Sequence, residues 1–252
     1  MLRLFTLEKP AWTVEEAAAA LDVSVSSAYR YFAALSEAGL LTAEATGRYV
    51  LGPAFIQYDR QIQLTDPLLR AAGPVMNELI GFAPDGTTLV LCRAFENTVL
   101  CVHQVLGRGP QPIISYERGR PMPLFRGATS KAILAHLPAR QLRRLYDGHA
   151  EEVRSAGLGD DWEAFKAAIA GLRKAEYVVT RQEIDPGRAG VAAPILDVGR
   201  RVLGSLSFVV VDARVDQPRI ARLGTLLVAA VREIECALRQ EAGGDNTIRT
   251  GT

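Results

Sequence analysis

The segment from Leu124 to Leu137, LFRGATSKAILAHL, places a glycine, two hydroxyl side chains and a lysine at the start of an expected helix. Phosphate-binding loops and serine nucleophiles use these residue types. A phosphate-binding loop requires a second glycine directly before its lysine, and Lys131 follows a serine. A Ser-x-x-Lys pair separates nucleophile and base by one helical turn, whereas Ser130 and Lys131 are adjacent. The spacing excludes both chemistries.

A helix start can still bind an anion without catalysing a reaction, because its first amides lack helical partners and the helix dipole adds partial positive charge. The small residues after Arg126 would let a ligand approach that backbone. We therefore expect a binding site at this segment. An alternative stays open, in which Gly127–Lys131 serves a small-molecule hydrolase or transferase. It requires a general base within hydrogen-bond reach of a pocket hydroxyl.

The cysteines and histidines show no spacing typical of a metal site. We expect packing or solvated surface for all six: Cys92, Cys101, Cys236, His103, His136 and His149. Neither a metal nor another cofactor is expected. Three cysteines are an odd number and argue against a disulfide framework, which favours a reducing, cytoplasmic location.

The composition indicates a sizeable core and no strong field around the molecule. The 252 residues are 48% hydrophobic, and 29 basic against 28 acidic residues give a net charge of +1. No global charge would therefore attract nucleic acid or anionic lipid, and such a partner needs a local patch. The best candidate for a membrane span, VLGSLSFVVV, has about half of the roughly 20 residues required and predicts a buried strand.

The first fifty residues predict a winged helix-turn-helix. Thr13 and Glu16 have capping-box spacing, which predicts a helix over about Val14–Leu21. A second, longer helix is expected to begin after Ser24, as its N-cap, and to end before Gly39. The next segment, LLTAEATGRYVLG, alternates around a turn at residues 46–47 and predicts a two-stranded hairpin.

The remaining chain predicts an α+β domain with an antiparallel sheet. Prolines punctuate a linker helix, about Ala54 to Leu64, and a helix that follows it. Two β-rich segments, TTLVLCRAF and TVLCVHQVL, predict a hairpin, and three further strands are expected in EYVVTRQEI, GVAAPILDV and RVLGSLSFVVVD. Helices are expected in the 124–137 segment, near DWEAFKAAIAGLRKA, and over about Gln217–Glu241.

Two sets of motifs resemble the IclR, or isocitrate lyase regulator, family of bacterial transcription factors. VSVSSAYRYFAAL and GRYVLG resemble the family's second helix and wing end. MPLFRGATSKAILA and EYVVTRQEIDPGRAGVAAPILD resemble LPxxxTAxGKAxLA and GYxxDxEExxxGxxCxAAPVxD of its GAF-like effector-binding domain. The resemblance runs from about Leu2 to Leu238 and implies a regulator that binds DNA and a small effector.

The resemblance also implies where the effector binds, at the start of the 124–137 helix against the strands that follow. Carried over by position, the pocket residues are Met122, Phe125, Arg126, Gly127, Ala128, Thr129, Thr180, Glu183, Arg188, Gly190, Ser205 and Ser207. This chain has Thr180 where the family has Asp or Ser, and Gly190 where it has Cys, Ser or Ala.

These departures favour an anionic ligand. Losing an aspartate at position 180 removes a repelling charge, and Arg126 and Arg188 offer forked donors to a carboxylate. Space at Gly190, with Phe208 nearby, would suit an aromatic ring. We expect a small organic acid, with an aromatic carboxylate as the finer prediction. The alternative for the arginines is that Arg188 pairs with Glu183 or Asp185 and that Arg126 is solvated.

Residues early in a recognition helix reach base edges, and arginines take phosphates. The expected DNA contacts are Ser24, Ser26, Ser27, Tyr29 and Arg30 on the second helix and Arg48 on the wing. Residues 1–52 hold four basic and six acidic side chains, a net charge of −2, which disfavours nonspecific binding unless the acids face away. A winged helix that serves only as an interaction module is the alternative.

The expected domains are a winged helix-turn-helix over 1–52, a linker helix over 53–65, a GAF-like effector-binding domain over 66–241 and a flexible tail over 242–252. The expected partners are double-stranded operator DNA, an organic acid and a second copy, as a homodimer or a dimer of dimers, with no membrane. Dimerisation is expected because one recognition helix reads too few bases for specificity. The predicted role is control of a catabolic operon.

Overall fold

The computed structural model describes residues 1–110 and 114–244, with side chains described as far as residue 241. The chain divides into two compact units, Met1–Asp66 and a second unit that begins at Pro67. The last helix continues to Gly244, so most of the tail predicted over 242–252 lies outside the described residues.

The first unit has the predicted order of helix, turn, longer helix and hairpin. Its elements are α1 (Val14–Leu21), α2 (Val25–Glu37), β1 (Leu41–Ala43), β2 (Tyr49–Leu51) and α3 (Ala54–Thr65). Strands β1 and β2 pair antiparallel to form the wing. A small core joins them, in which Phe32 of α2 is fully buried and packs edge-on against Tyr49 of β2 at 4.8 Å between ring centroids.

The ends of the first two helices follow from local hydrogen bonds. The Thr13 hydroxyl accepts from the Glu16 amide, and the Glu16 carboxylate accepts from the Thr13 amide, both at 3.2 Å. This capping box satisfies two of the donors that a helix start leaves open, and it fixes α1 where the spacing predicts it. Ser24 caps α2 by accepting from the Ser27 amide, and Gly39, at φ +69°, follows the helix end.

The second unit is a six-stranded antiparallel sheet with helices on both faces. Its helices are α4 (Pro67–Leu79), α5 (Ala128–Leu134), α6 (Ala139–Ser155), α7 (Trp162–Lys174) and α8 (Gln217–Gly244). Its strands are β3 (Thr88–Phe95), β4 (Thr98–Leu106), β5 (Pro121–Pro123), β6 (Val178–Arg181), β7 (Arg188–Leu196) and β8 (Val202–Val211), in the order β5-β4-β3-β8-β7-β6. With the winged helix, this gives the predicted α+β class.

Alternation along β8 separates two cores. Leu206, Phe208 and Val210 pack with α4 and α8 on one face. Val209 packs on the other face, in the core that includes α5, α6 and α7. Successive side chains of a strand point to opposite faces, so Phe208 lies on the face opposite α5. The expectation that Phe208 lies near the effector pocket is therefore wrong.

Three features of the second unit differ from the expectations. The sequence pattern does not predict helix α6. Only Leu142, Leu145 and Val153 are buried in this helix, and His149 has non-helical backbone dihedral angles. Strand β5 consists of Pro-Met-Pro, a composition that argues against a strand and is tolerated at this sheet edge. Strand β6 ends at Arg181, and the chain then turns before β7.

Candidate functional site

The second unit contains a small, partly open cavity between the start of α5, strands β6 to β8 and the segment 182–187. Seven of the residues predicted for the effector pocket line it: Gly127, Ala128, Thr129, Thr180, Glu183, Arg188 and Gly190. It measures about 20 Å³, which is room for about one water molecule. The structure therefore brings most of the predicted site together, in a closed form.

A carboxylate of the chain itself occupies the start of α5. Glu183 accepts from the Gly127 amide at 2.9 Å and from the Lys131 ammonium at 2.7 Å. The Lys131 side chain is 9% exposed, and Glu183, at 31%, is reached by solvent. The Ala128 amide donates to the Thr180 hydroxyl at 3.0 Å. The amides of Gly127 and Ala128 are therefore not open to a ligand, because Glu183 and Thr180 already satisfy them.

Gly127 is required at this point by its surroundings. It has φ +82°, and a β-carbon there would lie 2.7 Å from the Tyr116 hydroxyl and 2.9 Å from Ile184. Only glycine fits such a conformation and such a close approach. Tyr116 and Ile184 line the cavity with Asp185 and Val209, and none of these four was predicted, whereas Ala189 lies within the predicted range 188–190. They come from loops and a strand whose neighbourhood no local spacing reveals.

The two arginines predicted to hold a carboxylate lie in different surroundings. Arg188 lines the cavity, and its Nη1 is buried without a hydrogen-bond partner in the described structure. Its alternative partners are engaged elsewhere, since Asp185 accepts from the Ser115 hydroxyl at 2.5 Å and Glu183 binds Lys131. Arg126 donates to the Ser155 carbonyl at 3.2 Å, at the end of α6, and does not line the cavity.

Four more of the predicted residues, Met122, Phe125, Ser205 and Ser207, do not line the cavity. Met122 and Phe125 are buried in the core on the α5 face. Ser205 donates to the Thr129 carbonyl at 3.0 Å, and the buried Ser207 hydroxyl has no partner in the described structure.

A β-carbon on Gly190 would approach the Ala128 β-carbon to 3.2 Å. The space that a glycine leaves at position 190 is therefore filled by α5.

Ser130 has none of the surroundings of a nucleophile. It is fully buried, and its Oγ lies 3.0 Å from the Tyr116 hydroxyl. Burial raises the pKa of Tyr116, so this hydroxyl stays protonated and offers no base. Cys92 and Cys101 are buried partners across β3 and β4, and burial raises the pKa of the Cys92 thiol. Among the described residues, no three His, Cys, Asp or Glu side chains form a metal-binding group.

The first unit presents the start of α2 to solvent. Ser24 Oγ lies 3.1 Å from Ser26 Oγ and donates to Ser27 Oγ at 2.9 Å, so the three hydroxyls form one exposed cluster. Arg30 is exposed, and the half-exposed Tyr29 donates from its hydroxyl to Glu15 of α1 at 2.9 Å. These residues share one end of α2, as expected for a recognition helix.

Arg48 of the wing is held by a carboxylate of α1. Its Nη2 lies 3.2 Å from Glu16 Oε1, and Lys9 lies 3.5 Å from the other Glu16 oxygen. The Thr13 amide, Lys9 and Arg48 all keep the pKa of Glu16 below its usual value, the backbone hydrogen bond contributing most. The acids near the recognition helix thus pair with neighbouring side chains of the same unit.

Comparison with known proteins assigns both units to one family. Residues 64–236 match the family model described as bacterial transcriptional regulator IclR C-terminal, and residues 1–45 match the IclR helix-turn-helix domain. The chain is 28% identical over 226 residues to the HTH-type transcriptional regulator KipR of Bacillus subtilis, covering 88% of each chain. It is 23% identical to BhcR of Paracoccus denitrificans, covering 92% of this chain and 83% of the relative.

Solved structures share the fold. An IclR transcriptional regulator from Alicyclobacillus acidocaldarius superposes with a TM-score of 0.74 at 20% identity, over 94% of both chains. An IclR homologue from Microbacterium hydrocarbonoxydans, complexed with 4-hydroxybenzoate, has a TM-score of 0.71 at 20% identity, over 95% of this chain and 96% of that one. No helix in the described part of the chain is long and apolar enough to span a bilayer.

The helix-turn-helix unit and the GAF-like sheet unit occur here in the family's order, and the two family models together cover most of the chain. The family consists of DNA-binding regulators and not of enzymes, which removes the hydrolase alternative. The chain belongs to the IclR family of bacterial transcriptional regulators and is a ligand-responsive, DNA-binding protein.

Proposed function

We propose that this regulator senses a small organic acid in the cavity at the start of α5 and thereby controls a catabolic operon. One observation carries the proposal. Arg188 lines this cavity, and its Nη1 is buried and has no hydrogen-bond partner in the described structure. A buried donor left without a partner is costly, and a ligand carboxylate would satisfy it with a charge-assisted hydrogen bond.

The other cation at the site is already neutralised. Lys131 is paired with Glu183, so Arg188 is the cation that an effector would meet. Room for about one water is too little for an organic acid, so binding requires the segment 182–187 to move away from α5. Two hydrogen bonds hold that segment in its closed position: the Gly127 amide donates to Glu183, and the Ser115 amide donates to Asp185. An acid that favours the open arrangement would shift the population toward it by its differential affinity.

Calorimetric titration of the full chain with a panel of short aliphatic and aromatic acids tests this proposal. We expect Arg188→Ala to weaken the best ligand by tenfold or more, since a hydrogen bond to a charged group contributes about 1.5–3 kcal/mol. Arg126→Ala is the matched control and should leave affinity unchanged, because Arg126 binds Ser155. Unchanged affinity in Arg188→Ala would refute the carboxylate role.

An aromatic carboxylate is a second, finer candidate. It is supported by the relative from Microbacterium hydrocarbonoxydans, whose structure is complexed with 4-hydroxybenzoate. Against it, the space at Gly190 is occupied by Ala128. Benzoate and 4-hydroxybenzoate in the same panel decide between the two, since an aromatic sensor should bind them at least tenfold more tightly than acetate, pyruvate or succinate.

The proposed DNA contacts are the exposed residues at the start of α2 and Arg48 of the wing. Because Arg48 pairs with Glu16 in this structure, we propose that the phosphate backbone competes with that carboxylate for its guanidinium. In a gel shift with the regulator's own promoter fragment, Arg30→Ala with Arg48→Ala should abolish retention, and an Arg143→Ala control should not. Retention that survives the double substitution would reject these contacts.

The regulator is proposed to act as a homodimer, or a dimer of dimers, through α3. This helix exposes five large apolar side chains among its twelve residues: Phe55, Ile56, Tyr58, Ile62 and Leu64. Such a set on a single helix is typical of a surface that a partner covers. A second copy is the proposed occupant, because two recognition helices are needed to read two half-sites of an operator.

A further inference from the structure

A second cavity, of about 240 Å³, lies in the sheet unit beside the last residues of β7. It is bounded by the segment after α5, the end of α7, the turn between β7 and β8, and α8. The strand β6 pairs with β7 only as far as Ala192, so the edge of β7 from residue 193 onward faces this cleft. None of the pocket residues carried over from the family lines it.

Positive charge predominates among its lining side chains. Arg173, Lys174, Arg200 and Arg232 carry four positive charges, against two negative charges on Glu176 and Glu235. Both acids are engaged. Glu176 lies 3.0 Å from Arg232, and Glu235 accepts from the Leu196 amide at 2.7 Å. The cleft therefore retains a surplus of about two positive charges after its internal pairing is counted.

Three cations remain without a carboxylate partner in the described part of the chain: Arg173, Lys174 and Arg200. The Arg173 guanidinium is hydrogen-bonded to the segment after α5, since its Nε donates to the Ala135 carbonyl at 2.7 Å and its Nη2 to the Leu137 carbonyl at 3.5 Å. Arg200 has φ +61°, a conformation disfavoured by residues with a β-carbon. A glycine would suit that turn better, yet the sequence has an arginine directed at the cleft.

Burial and the same positive charges both lower the pKa of His136. Burial, and then the Coulombic effect of Arg173 and Arg200, lowers its pKa to about 4. At neutral pH the imidazole is thus uncharged and offers one N–H donor beside the cations. The titratable and charged groups that face this ring are the lining side chains of α7, of the β7–β8 turn and of α8 already named.

We infer that this cleft is a second ligand site, which binds a small oxyanion carrying two or more negative charges, either a di- or tricarboxylate or a phosphate-bearing metabolite. Its volume is just below the range of about 300–1,000 Å³ typical of pockets for larger ligands, which suits a compact metabolite. Arg173, Lys174 and Arg200 would supply the charge-assisted hydrogen bonds. The assignment does not depend on what the first cavity binds.

Two elements connect the cleft with the first cavity. Helix α5 starts at Ala128, in the first cavity, and is followed by His136, in the cleft. Strand β7 lines the first cavity with Arg188–Gly190 and the cleft with Ala193 and Pro194. An anion in the cleft would therefore change effector affinity only through these shared elements, and the coupling would be reciprocal.

Calorimetric titration of the full chain at low salt, with citrate, inorganic phosphate and pyrophosphate as separate probes, tests the inference. We expect saturable binding of at least one probe, and the preferred probe separates the carboxylate source from the phosphate source. Lys174→Gln with Arg200→Gly should weaken it about tenfold or more. The matched control is Lys166→Gln with Arg201→Gln, which removes the same charge from the same helix and turn outside the cleft.

A local readout comes from the histidines, of which the chain has three. The ring resonance of His136, assigned with His136→Gln, should shift on addition of the bound probe and should not shift in the Lys174→Gln, Arg200→Gly variant. Both substituted side chains are exposed, so this variant should fold, which circular dichroism checks.

Three results would overturn the inference. The first is no saturable binding of any probe below about 10 mM. The second is equal weakening in the control variant, which would indicate a general charge effect. The third is loss of binding in Arg188→Ala, which would place the anion in the first cavity.

Discussion

The ion pair between Lys131 and Glu183 should contribute measurably to the stability of the sheet unit. The Lys131 ammonium is nearly buried, and among the described residues it pairs with the Glu183 carboxylate alone, at 2.7 Å. Glu183→Gln keeps an oxygen for the Gly127 amide and removes the charge that neutralises Lys131. Breaking a fully buried pair costs about 3–5 kcal/mol. Because solvent reaches Glu183, we expect about 2 kcal/mol, or a fall in Tm of about 4–8 °C for a domain of this length.

The reverse substitution and the double substitution isolate the interaction. Lys131→Met leaves Glu183 with solvent and the Gly127 amide, so it should cost about 1 kcal/mol. The double variant has no uncompensated charge and should lie within about 1 kcal/mol of the unmodified protein. The coupling energy from this cycle should then be at least about 2 kcal/mol.

Urea unfolding followed by tryptophan fluorescence measures these differences. The chain has two tryptophans, Trp12 in the first unit and Trp162 in the second. A Trp12→Phe background therefore makes the signal report on the sheet unit. Glu163→Gln, which breaks the exposed pair with Lys166, is the control and should change stability by no more than about 0.5 kcal/mol. A coupling energy below about 0.5 kcal/mol would refute the reasoning.

Two further predictions follow from side chains outside that pair. The pKa of His136 is lowered to about 4 in the folded chain and is about 6.5 when unfolded, so the unfolded state binds more protons between these values. Stability should fall as pH drops from about 6.5 to about 4, by about 1.5 kcal/mol more than in His136→Gln after allowing for solvent at the ring, and equal losses in urea unfolding would contradict this. Ile62→Asp should shift the chain toward monomer in sedimentation equilibrium, whereas Leu7→Asp, at another exposed apolar residue, should not; an unchanged dimer in Ile62→Asp would exclude α3 as the interface.

The helix boundaries of the first unit could be predicted from the sequence because they are set by local hydrogen bonds. A capping box spans three residues, and an N-cap serine acts on the amide three residues ahead, so Thr13, Glu16 and Ser24 carry the information in sequence order. Five of the six strands of the sheet could be predicted for a similar reason, since β-branched runs alternate with turn residues, whereas Pro-Met-Pro of β5 carries no such signal. The helix α6 was missed because few of its side chains are buried and its regular pattern is interrupted at His149.

The effector cavity shows the limit of that information. Four residues that the family motifs predict for one pocket do line one cavity: Gly127, Thr180, Glu183 and Arg188. Nothing local indicates that Arg126 turns to Ser155 or that Arg48 turns to Glu16, because the choice of partner for a long, flexible side chain depends on what the fold brings near it.

The sequence by itself determined the family, most of the elements and which segments meet at the proposed ligand site, because capping, periodicity and motif positions are local properties. Only the tertiary structure decided how that site is filled. Glu183 lies 52 residues from Lys131 in the chain, yet its carboxylate occupies the start of α5. A buried ammonium requires a carboxylate partner, and packing between distant segments decides which carboxylate lies beside it.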